Sequence, residues 1–228
     1  MIGRALLATL VASLCAAVLA VPGGAANECK GIPVCISVPG PWVYVPTHEE
    51  ATYLLECPRR RGVVGGLDAL ATSRDVRVSF DGRLGSPVAP GMTTSRDAYF
   101  RAVTVSGERG AFQPYLGCIP AGGGGGRSTT SARVTPPGVP LDRIAKNVKL
   151  GSPSVVTVAV SCPRGERLIG SWHALAFRSK TAPDLVIGGY VRVDRLITRG
   201  RVVAHVVSSE GVPVAAHAEI QVGAVCAA

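Results

Sequence analysis

Residues 52–71 and 157–176 of this chain match at an offset of 105 positions. Thr52, Cys57, Pro58, Arg59, Gly65, Ala69, Leu70 and Ala71 all recur, eight identities in twenty places. About one or two would be expected by chance. Farther on, Phe112-Gln113 and Cys118 overlay Ile220-Gln221 and Cys226 at an offset of 108, so a three-residue insertion lies between the matches. A unit of roughly 65 residues is therefore expected twice, as two sister domains, because two copies are too few for a solenoid.

That duplication restricts the cysteines. Cys29, Cys35, Cys57, Cys118, Cys162 and Cys226 lie beyond residue 26. Six cysteines allow fifteen pairings. The repeat makes Cys57 equivalent to Cys162 and Cys118 to Cys226, so each copy is expected to close on itself. Cys29 and Cys35 are left to join across a short turn. Each long bridge is expected to stabilise by about 4 kcal/mol and the short one by about 2. No Cys-x-x-Cys pair exists and the histidines lie far from the cysteines, so no metal site is expected.

The compartment follows from the first residues. A positive start at Met1–Arg4 precedes an uncharged run from Ala5 to Val21, then Pro22-Gly23-Gly24 and Ala25-Ala26. That is the layout of a secretory signal peptide, residues 1–26, with cleavage expected after Ala26. The apolar run falls short of the ~20 residues that a spanning helix needs, and no later segment is long enough. An exported chain is where paired cysteines belong.

Within the mature part, Val76–Phe80 and Val191–Val193 alternate apolar and polar residues. Tyr99–Val105 and Val202–Val207 are rich in β-branched and aromatic side chains. Turn residues punctuate them, and no helical stripe is present. The expected fold is mainly β: two small, disulfide-closed β-sandwich-like or barrel repeats, residues 47–120 and 141–228. Ahead of them lies an extended segment, 27–46, whose Pro39–Pro46 stretch reads as an edge strand because of its prolines. Residues 121–140, with five consecutive glycines and then Pro136-Pro137, have linker composition. Gly122–Ser128 imitates a phosphate-binding loop but lacks its first glycine and its lysine.

The Cys57–Gly66 run (Cys-Pro, then Val-Val-Gly-Gly), with Cys29–Trp42 and Gly82–Pro87, resembles β-repeats of exported proteins from high-GC actinobacteria. The resemblance would span nearly the whole mature chain, although the second copy departs from it with Gly170-Ser171. It implies export and a β-rich fold, and it brings no activity and no functional residues.

Function is constrained more loosely. The formal charge is +9, from 24 basic and 15 acidic side chains. Most of the basic residues are arginines, which grip carboxylates and phosphates through paired hydrogen bonds. An anionic cell-wall polymer or glycan is the expected partner. Nucleic acid is not, because aromatics are sparse and not interleaved with the basic residues. Arg59, Arg60 and Arg61 follow the first Cys-Pro, and Arg164 and Arg167 follow the second, giving a duplicated anion-contacting turn. The loop Asp81–Ser95 adds Arg83, Ser86, Thr93 and Thr94 as binding candidates. No catalytic motif or cofactor signature is present, so a non-enzymatic envelope protein is expected. The alternatives are a secreted hydrolase using Asp68 and Asp81, and a structural envelope protein without a ligand. His205 and His217, with Glu219, would be the residues of a metal site if there were one.

Overall fold

The computed structural model describes residues 26–32, 34–58, 62–81, 96–120 and 141–227. It is mainly β. The strands in chain order are β1 (Ile36–Pro39), β2 (Trp42–Val45), β3 (Ala51–Glu56), β4 (Val63–Ala71), β5 (Val76–Asp81), β6 (Asp97–Thr104) and β7 (Gly110–Ile119). They continue with β8 (Leu141–Lys149), β9 (Ser154–Ser161), β10 (Arg167–Phe177), β11 (Val191–Thr198), β12 (Arg201–Ser208) and β13 (Ala218–Ala227). The period of two is clearest in β12, where Val202, Ala204, Val206 and Ser208 are buried and Arg201, His205 and Val207 are exposed.

Both halves pair their strands in the same way. In the first, β3-β6-β5 form one antiparallel sheet, while β7 lies between β4 and the broken strand β1/β2. In the second, β9-β12-β11 form a sheet, and β13 lies between β10 and β8. The halves are joined because β2 also pairs with β10, Val43 opposite Ala176 and Trp42 opposite Phe177. One seven-stranded sheet therefore runs through both halves.

Side-chain alternation along the shared sheet divides the interior into two cores. Val43, Val45, Phe112, Leu116, Ala174 and Ala176 point to the face covered by β3-β6-β5, where they meet Tyr53, Leu55 and Phe100. Trp42, Ala111, Leu175, Phe177 and Ile220 point to the opposite face, against Val158, Val202 and Val206 of β9-β12-β11. The protein is thus three layers deep, and β2 and β10 contribute to both cores.

The disulfides are Cys29–Cys35, Cys57–Cys118 and Cys162–Cys226, the pairing expected from the duplication. The two long bridges tie the end of β3 to β7 and the end of β9 to β13. Each therefore staples an outer sheet to the shared one. The short bridge closes a loop seated on the shared sheet, where a Cβ at Gly66 or Gly117 would overlap the Glu28 carbonyl.

Two expectations need correction. Within Pro39–Pro46, Trp42–Val45 is not at an edge, since it lies between β7 and β10, whereas Pro39 ends β1, which pairs with β7 alone. Prolines 39, 41 and 46 border the four-residue core of that strand, so none has to donate inside it. Nor does the offset of 105 hold through β4. Cys118 pairs with Val64 and Cys226 with Leu168, which aligns β4 with β10 at 104. The turn after Cys162 is one residue shorter than that after Cys57. The identities at Gly65 and at Ala69, Leu70 and Ala71 consequently do not occupy equivalent positions, and a one-residue slip moves each side chain to the other face.

Candidate functional site

The shared sheet opens at the end of β2. Pro46 has no N–H to continue the ladder, and the chain turns away through residues 47–50 to begin β3. β10 continues the other way and remains paired with β13, Leu175 opposite Ile220 through Ser171 opposite Ala224. The space between is a cleft of about 420 Å³. Residues 171–175 form its base. The first half contributes Tyr44, Glu49, Glu50, Thr52, Tyr99 and Arg109, and the second Gly188, Gly189, Val191, Val193 and Arg195.

Each wall is fixed by specific contacts. Arg195 donates from Nη1 to the Ser171 carbonyl at 3.0 Å, tying β11 to β10. The Tyr44 ring lies against Gly188, where a Cβ would overlap it. Thr52 donates its hydroxyl to Glu50 at 3.3 Å. Tyr99 meets Trp172 edge to face, centroids 5.1 Å apart, and the Arg143 guanidinium lies 4.7 Å above the Tyr99 ring. Trp172 is only 5% exposed. Its ring covers Gly223, and its Nε1 donates to Gln221 at 3.2 Å.

His173 stands in the base, with Nδ1 shielded and without a hydrogen-bond partner among the described residues. Burial, helped by the nearby Arg195 cation, lowers its pKa to about 4, so the ring is neutral at physiological pH. Two guanidinium groups and two carboxylates, Arg109 and Arg195 against Glu49 and Glu50, leave the cleft without net charge. It therefore differs in character from the basic chain that forms it.

The residues singled out from the sequence lie elsewhere. Arg59, Arg60, Arg61, Arg83, Ser86, Thr93 and Thr94 are outside the described residues, as is the segment 121–140. Arg164 and Arg167 are exposed, on the turn after Cys162 and at the start of β10. Glu166 lies between them in sequence, and burial and the neighbouring Asp142 carboxylate raise its pKa. Asp68 accepts from the backbone N–H groups of Asn27 and Ala69. Asp81 ends β5, and its side chain is outside the described residues.

The imagined histidine cluster does not form. His205 lies on the exposed face of β12, 3.1 Å from the Thr157 hydroxyl, and His217 caps a short 3-10 turn with φ 45°. Glu219 is buried between Tyr53 and Arg178. Among the described residues no three His, Cys, Asp or Glu side chains gather as a metal-binding group.

The cleft is not among the sites expected from the sequence. Its one local signal was that aromatics, scarce in this chain, recur at Tyr44, Tyr99 and Trp172. These converge only once β2 pairs with β10, across more than a hundred residues.

No protein-family model, curated protein or solved structure matches the chain. Three disulfides are consistent with an extracellular location. No described helix is long and apolar enough to cross a membrane.

Proposed function

We propose that this chain is an exported, non-enzymatic protein of the cell envelope, and that it binds its ligand in the cleft where its two halves meet. The carrying observation is the cleft itself: a concave site of about 420 Å³ with aromatic and charged side chains from both halves, at the point where the shared sheet parts. Export is supported by the signal-like first 26 residues and by the paired cysteines. It is also supported by the Asn27 N–H bonded to Asp68. Cleavage after Ala26 would turn that amide into an α-ammonium beside a carboxylate. The common pairing order of the halves supports descent from one copied unit.

A second reading, in which an anionic wall polymer is held at the arginine turns, is favoured by the exposure of Arg164 and Arg167 beside the Cys162–Cys226 bridge. One experiment separates the two. Mature protein is applied to a purified cell-envelope preparation and compared with Tyr44→Ala and with Arg164→Ala/Arg167→Ala. Loss of retention in the tyrosine variant alone supports the cleft. Loss in the arginine variant, together with release by salt, supports the turn. Retention insensitive to both would dismiss both.

A further inference from the structure

The cleft follows the edge of a strand. Trp172 and Ala174 point to one face of β10, and Ser171, His173 and Leu175 to the other, yet all five line the same cavity. Side chains from both faces can share a cavity only if it runs along the edge between them. The other edge is fully paired with β13, whereas on the cleft edge β2 covers only Ala176 and Phe177.

A strand directs its backbone N–H and C=O groups to alternate edges every second residue. Ser171 turns its carbonyl to the cleft, where Arg195 takes it. His173 and Leu175, of the same parity, direct their backbone groups the same way, the Leu175 carbonyl toward the Tyr44 N–H where the β2 ladder ends. A comparable position is treated differently: the N–H and C=O of Leu54, in edge strand β3, are both taken by the Gln221 side chain. On the cleft edge, among the described residues, no strand ladder is paired with β10 over 171–175, its other edge being paired with β13. An open edge inside a concave site is a template for one more strand.

We propose that the cleft takes an extended polypeptide from another protein, which adds to β10 as a strand alongside residues 171–175. This rests on the reading of the cleft as the ligand site. Five residues of edge offer about 17 Å of ladder. Backbone pairing with the N–H and C=O of His173 and the N–H of Leu175 supplies affinity, and alternate ligand side chains face the Tyr44 and Val191 wall or the Thr52 and Tyr99 wall. Glu49, Glu50 and Arg109 select among charged side chains at the rim. A polysaccharide fits less well. Sugar rings need an open aromatic face, and Trp172, the largest ring here, is covered by Tyr99 and Gly223.

The test uses the full mature protein against a displayed library of random decapeptides and, in parallel, a panel of soluble oligosaccharides. Selected peptides are expected to bind and to slow amide hydrogen exchange at His173 and Leu175. N-methylation at every second peptide residue is expected to weaken binding by about 100-fold, and at intervening residues by less than about 3-fold. No enriched peptide, unchanged exchange over 171–175, or an N-methyl scan without alternation would overturn the strand. If oligosaccharides bind instead and Tyr44→Ala abolishes their binding, the strand proposal fails while the cleft remains the ligand site. If Tyr44→Ala alters binding of none of the probes, the reading of the cleft fails as well.

Discussion

The Gln221 side chain holds the peptide groups of Leu54 as a neighbouring strand would. Its Oε1 accepts from Leu54 N at 2.7 Å and its Nε2 donates to Leu54 O at 2.9 Å. The same amide accepts from Trp172 Nε1 and donates to Asn147 Oδ1. One buried side chain from the second half thus caps an edge strand of the first and fixes the tryptophan at the base of the cleft. Replacing Gln221 by leucine keeps the approximate volume and leaves four polar groups without their partner. The expected cost is about 3–5 kcal/mol, read as a lower midpoint in denaturant unfolding.

Glu219, two residues before Gln221 on the same strand, is 3% exposed. Arg178 meets it with Nε at 2.7 Å and Nη2 at 3.2 Å, and the Tyr53 hydroxyl donates to it at 3.0 Å. Arg178→Met would strand a buried carboxylate. Because the arginine is half exposed, solvent screening reduces the cost to roughly 1–3 kcal/mol. Equilibrium unfolding at pH 7 checks it.

His173 gives a signed pH dependence. Its folded pKa is about 4 against an ordinary 6.5. Above pH 6.5 both folded and unfolded states are neutral at this site, and it costs nothing. Between 6.5 and 4 the unfolded chain takes up a proton that the folded protein refuses, so stability is lost on acidification. The loss reaches about 3 kcal/mol and levels off below pH 4. His173→Gln should flatten that segment of a stability–pH curve.

The glycines under the short disulfide loop are a separate target. A Cβ at Gly66 would overlap the Glu28 carbonyl, so Gly66→Ala must lift the Cys29–Cys35 loop from the shared sheet. The expected destabilisation is about 1–3 kcal/mol, with faster protease cleavage around residues 27–35 and little change in exchange over β9–β13.

What the sequence could reveal depended on how local each feature is. The long bridges were legible because both cysteines of each half carry flanking matches that survive sliding the chain against itself. The strands at Val76–Phe80 and Val202–Val207 were legible because alternation is a property of neighbouring residues. The slip at Gly65–Ala71 was not. A one-residue difference between the turns after Cys57 and Cys162 is invisible at constant offset, and only the pairing opposite Cys118 and Cys226 exposes it. Proline content around Trp42–Val45 suggested an edge, but a four-residue strand bordered by prolines fits inside a sheet. The cleft has no local signature beyond its few aromatics, because it exists only where β2 leaves β10.

Everything at the cleft depends on the halves forming one body through Val43 opposite Ala176 and Trp42 opposite Phe177. Residue-resolved hydrogen exchange across a denaturant series measures this most directly. Amides of β7 in the first half and β13 in the second should open in a single transition with a shared midpoint. Two separate midpoints, one for each half, would contradict the shared sheet and remove the cleft with it.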